Sequence, residues 1–347
     1  MRVHNFIDQH LLKRTGISYL LYPLSLLYLA GHRIKQAKDR LKQYKTPLKV
    51  ISIGNLTAGG SGKTPLGLNL VSFLSEKGFI TAISHRGYRG HNEKGATLVQ
   101  PGLEISPQTL GDEACLYATS LPNTTLVVGS DRVQAARLLE QQKPDIQILI
   151  LDDSFQNKKL FHDIDIVVIS SEMGLGNGFC LPAGYLREPL SSLNHKHFVV
   201  LLSKGGSIPH HKLIAQIRAR TSRLYFADLF PGYVKNYDGD VVGLDELLDK
   251  HLLLVSGIGN PASFEDTVRN VGLSWVKHLR YPDHYRFEDV SDVLDEACDY
   301  ILCTQKDILK LGHHQSLKHK LRYIELALKW QDDSFERDLI QALKGLA

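Results

Sequence analysis

Residues 54–65, GNLTAGGSGKTP, decide the fold, because they hold most of a phosphate-binding loop and depart from it at one place. The usual pattern is glycine, four free residues, then Gly-Lys-Ser/Thr. Gly62, Lys63 and Thr64 supply the second half, while Thr57 stands where the opening glycine belongs. Such a loop works because successive backbone N–H groups point inward, a helix N-terminus adds positive potential, and a lysine neutralises the β- and γ-phosphates. Gly59, Gly60 and Gly62 give the wrap its freedom, since glycine alone takes positive φ cheaply. Lys63 brings the cation and Thr64 a hydroxyl for Mg²⁺. Thr57 changes the loop entry and removes none of these functions. The nucleotide contacts are therefore expected from Thr57, Ala58, Gly59, Gly60, Ser61, Gly62, Lys63, Thr64 and Pro65. The plainer alternative, a glycine-rich turn ending in Lys-Thr by accident, leaves the flanks unexplained. LKVISIGNL before the loop reads as a buried parallel strand, and TPLGLNLVSFLSEKG after it as a helix with Pro65 early and Gly78 at its end.

Working outward, the same alternation continues. FITAIS, DIQILILDD, DIDIVVIS and HFVVLLS read as strands, and SDRVQAARLLEQQ as a helix capped by Ser130 or Asp131. Strands separated by helical patterns predict an α/β fold of the P-loop NTPase type, doubly wound around a mostly parallel sheet. Around RLYFADLFPGYVKNYDGDVV aromatics alternate with polar residues and break at Pro-Gly and Asp-Gly, the pattern of strands with tight turns. HLLLVSGIGN then opens a second strand–helix series. The expected organisation is an N-terminal membrane-associating helix and basic flank (1–45), a P-loop core (46–222), a hairpin-like linker (223–250) and a smaller α/β domain (251–347).

A chain of 347 residues fits two domains better than one, and 43% hydrophobic with 22% charged residues excludes a disordered chain. The net charge of +4 is mild, and no basic-aromatic nucleic-acid module is visible. Four cysteines without a CxxC pair fit reduced thiols in a cytosolic protein. A monomer is the expectation.

The N-terminus breaks this pattern. Residues 15–31, TGISYLLYPLSLLYLAG, carry no charge, and HRIKQAKDRLKQYK directly after them has six Lys/Arg against one Asp. Seventeen uncharged residues including a proline and three tyrosines are short for a membrane span. Tyrosines suit the headgroup level and a basic flank is drawn to anionic lipid, so an interfacial helix is the leading expectation. A helix buried in the main domain is second and a true span third. A cleaved signal peptide does not fit, because bulky Tyr28 occupies the small-residue cleavage position.

A phosphate loop needs a metal-organising carboxylate at the end of a neighbouring strand. Asp152 and Asp153 follow ILIL and are expected at Mg²⁺ with Thr64; read alone, they are an acidic strand-end turn. Arg86 and Arg89 in SHRGYRG could grip phosphate, although solvated loop arginines are commoner. Asp112, between Gly111 and Glu113, reads as an exposed carboxylate on a turn, able to accept a proton from an attacking hydroxyl. His284, after Pro282-Asp283, could partner it. As isolated residues, polar turn groups of this kind are usually just solvated.

Taken in order, GNLTAGGSGKTP, RGYRG, GDEA, SDR, LDDSFQNKKLFHDIDIVV, LPAGYLREPL, SGIGNP, YPDHYRF and TQKD resemble the tetraacyldisaccharide 4′-kinase family, the lipid A 4′-kinases. Several are weak singly; the ordered set is specific and runs through nearly the whole chain. Ser154, Asn157 and Tyr185 depart from the family's usual glycine, histidine and proline, which bears on local loop shape. The resemblance implies transfer of the γ-phosphate of ATP to the 4′-hydroxyl of an acylated glucosamine disaccharide 1-phosphate. It implies Asp112 as catalytic base with His284 as its partner. Lys63 and Thr64 fall on ATP and Mg²⁺, Asp152 and Asp153 at the metal, and Arg132 and Arg187 on phosphate charge. Glu113 and Gln156 are supporting residues, and Tyr88 lines the substrate side. A substrate with several acyl chains stays in the bilayer, and ATP fixes the cytoplasmic face of the inner membrane. The rival from another class is a GTPase or partition-type ATPase switch. Guanine selection uses Asn/Thr-Lys-x-Asp, and TQKD at 304–307 has its lysine one place late. A third class, a membrane-peripheral structural protein that merely binds nucleotide, leaves Asp112 and His284 without employment.

Overall fold

The computed structural model describes residues 11–59, 62–100, 102–204, 206 and 210–346. Strand β1 (Lys49–Asn55) lies between β5 (Ile148–Leu151) and β6 (Ile164–Ser170) and runs parallel to both. Ile51 sits opposite Ile150 on one side and Ile164 on the other. Outside β5 come β2 (Thr81–His85), β4 (Thr125–Val128) and the antiparallel edge β3 (Thr97–Leu98). Outside β6 come β7 (Phe198–Lys204) and β8 (Leu224–Asn236). Ile51, Ile53, Ile150 and Val167 are fully buried, as continuous apolar runs covered by helices on both faces must be. Because β1 is flanked by later strands on either side, the loop leaving its carboxyl end sits at the point where the connections diverge, where open α/β sheets bind ligands.

The sheet continues past β8. Strand β13 (Leu321–Trp330) pairs antiparallel with β8, and β12 (Tyr300–Thr304), β10 (Leu252–Ser256) and β11 (Lys277–Arg280) follow in parallel. The short β9 (Val241–Val242) hairpins onto β8 alone. Each half has its own apolar core, one around Ile51, Leu70 and Phe198 and another around Leu253, Phe287 and Leu311. The C-terminal helix (Ser334–Lys344) packs on the first of these: Phe335 stacks on Trp330, and Lys49 Nζ donates to Leu343 O at 2.9 Å.

Helix α1 (Gly16–Leu41) opens with a capping box between Thr15 and Ser18. Its apolar character faces the wrong way for a core helix. Ser18 and Ser25 are its buried residues, while Leu20 is 78% and Leu27 70% exposed. Ser25 Oγ donates to Cys180 O (2.8 Å) and accepts from Ala183 N (3.1 Å), and half-buried Tyr28 and Leu29 pack beside that contact. The alternative of a buried helix is thereby corrected: one face docks, and Leu20, Leu24, Leu26 and Leu27 are left outside. Among the described residues no helix is long and apolar enough to cross a membrane.

Candidate active site

From the end of β1 the chain passes Thr57, which bridges to Leu186, and Ala58, whose N–H donates to Tyr185 O at 2.7 Å. That amide is engaged by the LPAGYLREPL segment. Gly59 (φ +104°) and Gly62 (φ +79°) take the left-handed conformations that bring the loop into its helix; Gly60 and Ser61 lie outside the described residues. A Cβ on Gly62 would also collide with Leu202. Helix α2 (Lys63–Glu76) begins at the lysine, buries Leu66, Leu70 and Leu74 on one face, and tolerates Pro65 because the first-turn N–H needs no partner. Thr64 is buried in its first turn.

Asp152 and Asp153 stand just past β5, beside that helix start, and their environments differ. Asp152 is 1% exposed; its Oδ2 accepts from Tyr117 O–H (3.0 Å) and its Oδ1 from Asp153 N–H (2.8 Å). Burial raises its carboxyl above the ordinary value, against the pull of His85 and Lys63. Asp153, at φ +48°, lies 3.4 Å from Lys63 Nζ and accepts from Arg187 Nη1 at 3.0 and 3.2 Å. Burial pushes it up, but Lys63 and Arg187 outweigh that and hold it below the ordinary carboxylate value. The three groups form one ion-paired cluster, two cations on one carboxylate, at the mouth of the loop.

Asp112 and Glu113 open helix α4 (Asp112–Ser120), which follows the short α3 (Pro107–Leu110). The reading of Asp112 as an exposed turn residue is corrected: its side chain is 14% exposed and occupies a helix N-terminus, where the dipole favours an anion. Its Oδ2 is 3.0 Å from His284 Nδ1 and 3.2 Å from Lys310 Nζ. Burial raises the Asp112 carboxyl, and His284 and Lys310 more than reverse this, leaving it below its ordinary value. Glu113 accepts from Lys306 Nζ at 2.6 Å and lies 3.2 Å from His85 Nε2, which in turn is 3.9 Å from Asp152 Oδ2. His85 therefore links the GDEA helix to the aspartate pair.

Other expected residues fall into place differently. Arg132 is buried at the start of helix α5 (Arg132–Gln142) and donates to Ser154 Oγ, Ser84 Oγ, Gly129 O and Asp152 O at 2.7–3.0 Å. With those partners it braces the strand end carrying the aspartates. Gln156 Nε2 donates to Asn55 O at 2.9 Å, tying the same turn to β1. Tyr88 is 48% exposed, with its ring 5.9 Å from that of His284 and Arg89 5.4 Å above it. His85, Lys306 and Lys310 escaped sequence reasoning as site residues. His85 and Lys306 stood inside quoted motifs, but nothing local marks Lys310.

A phosphate loop at a sheet's divergence point, an aspartate pair beside it and a carboxylate–histidine pair whose helix is linked to those aspartates through Glu113 and His85 define a phosphotransferase of the P-loop NTPase type. Residues 17–344 match the family model described as tetraacyldisaccharide-1-P 4′-kinase, and the chain belongs to that family. It is 31% identical to the tetraacyldisaccharide 4′-kinase of Syntrophus aciditrophicus, over 95% of this chain and 94% of the relative. It is 38% identical to that of Geobacter sulfurreducens over 76% and 75%. The crystal structure of LpxK from Aquifex aeolicus in complex with ATP superposes with a TM-score of 0.76 at 28% identity, covering 94% of this chain and 99% of that one.

Proposed function

We propose that this protein transfers the γ-phosphate of ATP to the 4′-hydroxyl of a tetraacylated glucosamine disaccharide 1-phosphate, a step of lipid A biosynthesis. The observation that carries the mechanism is Asp112, held by His284 at a helix N-terminus and linked through Glu113 and His85 to the aspartates beside Lys63. The acceptor O–H gives its proton to Asp112 as its oxygen bonds the γ-phosphorus. The bond to the β-phosphate oxygen breaks, and ADP leaves with the charge. The transition state is loose, so alignment and neutralisation do most of the work. Lys63 leaves Asp153 to meet the incoming phosphates, and Arg187 is placed to follow it. Thr64, Asp152 and Asp153 offer only oxygen donors, the set that suits a hard cation, and burial raises the Asp152 carboxyl, a cost that a bound cation would relieve. These residues would hold Mg²⁺, which would supply positive charge against the phosphate oxygens.

The 46–222 core and the 251–347 unit are read as two lobes joined through 223–250, with His284 reaching Asp112 from the second; closure would exclude water. The outward leucines of α1 and its basic flank are read as a seat on the cytoplasmic face of the inner membrane, which suits a substrate that stays in lipid. A monomer is part of the same reading. The test is transfer of radiolabelled γ-phosphate to the purified disaccharide lipid. Release of free phosphate without labelled lipid would favour a nucleotide switch instead.

A further inference from the structure

We propose that Lys310 is a positioning residue for the transfer: with His284 it pins Oδ2 of Asp112, leaving Oδ1 for the acceptor hydroxyl. The inference rests on reading Asp112 as the base. Lys310 lies on helix α6 (Ile308–Leu311), 3% exposed, with Nζ 3.2 Å from Asp112 Oδ2 and 3.1 Å from Asp307 Oδ1. Asp307 is fully buried and fixed in turn, its Oδ2 accepting from Gly257 N (3.0 Å) and Thr304 Oγ1 (2.7 Å). The ring of buried Phe287 lies 5.7 Å from Nζ. A buried ammonium needs a compensating charge, and Asp307 alone supplies one. Lys310 also reaches a second carboxylate in the other half of the chain, and this second contact is the one structure alone does not require. Among the described residues, both donors to Asp112 fall on Oδ2. The carboxylate is thereby held from one side, where a small cleft lined by Arg89, Arg286 and His284 opens beside it. General-base catalysis depends on this kind of fixed approach.

The experiment is a double-mutant cycle on the full chain, with steady-state lipid phosphorylation as readout. Lys310→Met should lower kcat about tenfold to a hundredfold with KM for ATP within about twofold, the loss expected for a misplaced catalytic group. In an Asp112→Asn background it should cost nothing further, because there is no base left to position. Lys310→Arg should restore part of the rate. Since Lys310→Met leaves Asp307 unpaired, Lys310→Met/Asp307→Asn provides the same comparison with buried charge balanced. A wild-type kcat in either variant, or an undiminished penalty on top of Asp112→Asn, overturns the positioning role. Near-normal turnover by Asp112→Asn alone would instead overturn the base assignment, a separate and recognisable result.

Discussion

His284 Nδ1 lies 3.0 Å from Asp112 Oδ2, a hydrogen bond that joins residues 172 positions apart. The carboxylate belongs to the half carrying the phosphate loop and the imidazole to the half after β8. A pair of this kind exists only when both halves are in register. Asp112→Asn should lower kcat by about 10²-fold or more while ATP affinity stays near wild type. His284→Ala should reduce kcat by a smaller factor. Parallel losses in turnover and nucleotide binding, measured by kinetics and by titration with a fluorescent ATP analogue, would make Asp112 structural.

Lys63 is paired with Asp153 at 3.4 Å, so the loop cation already has a partner that phosphate must replace. Lys63→Ala should abolish labelled transfer, because the γ-phosphate loses its cation. Asp153→Asn releases the lysine, and nucleotide affinity without added metal should rise. Unchanged transfer by Lys63→Ala would contradict the loop's role.

Asp165 gives a pH test outside the site. Burial raises its carboxyl, but His162 at 2.8 Å, Lys158 and His197 outweigh this and hold it at about 2, against an ordinary 3.8. The folded value is the lower one, so its stabilisation is complete above the unfolded value and is lost as pH falls toward the folded one. The contribution is about 2 kcal/mol. Asp165→Asn should therefore lose about that much in urea unfolding at pH 7, with the difference from wild type shrinking toward pH 2. A difference that stays constant with pH would remove the linkage.

The outer face of α1 gives the third element of the reading. Leu20 and Leu27 are 78% and 70% exposed. Leu20→Glu/Leu27→Glu should keep the melting temperature within about 2 °C, as surface changes do. It should lose most sedimentation with anionic vesicles and slow lipid phosphorylation. Binding that survives the substitution would move membrane attachment elsewhere on the molecule.

Much of this was legible in the chain. GNLTAGGSGKTP announced strand, loop and helix, since glycine conformations and a Lys-Thr helix start are local matters. The ILILDD run placed two carboxylates at a strand end for the same reason. What those carboxylates do was not legible: Asp152 is buried against Tyr117 while Asp153 faces Lys63 and Arg187, although they are neighbours in sequence. Arg132 shared a motif with other site residues, and nothing local shows that it donates to Ser154, Ser84, Gly129 and Asp152.

Local physics in the sequence thus determined the elements, the phosphate loop and the uncharged N-terminal helix, because propensity, periodicity and glycine freedom act within a few residues. Only the tertiary structure decided that this helix docks by the face of Ser18 and Ser25, with Leu20, Leu24, Leu26 and Leu27 outward. It alone decided, too, that Lys306 and Lys310 reach Glu113 and Asp112 across 193 and 198 positions. Ion pairs between distant segments depend on how the sheet is ordered, and no local pattern encodes that distance.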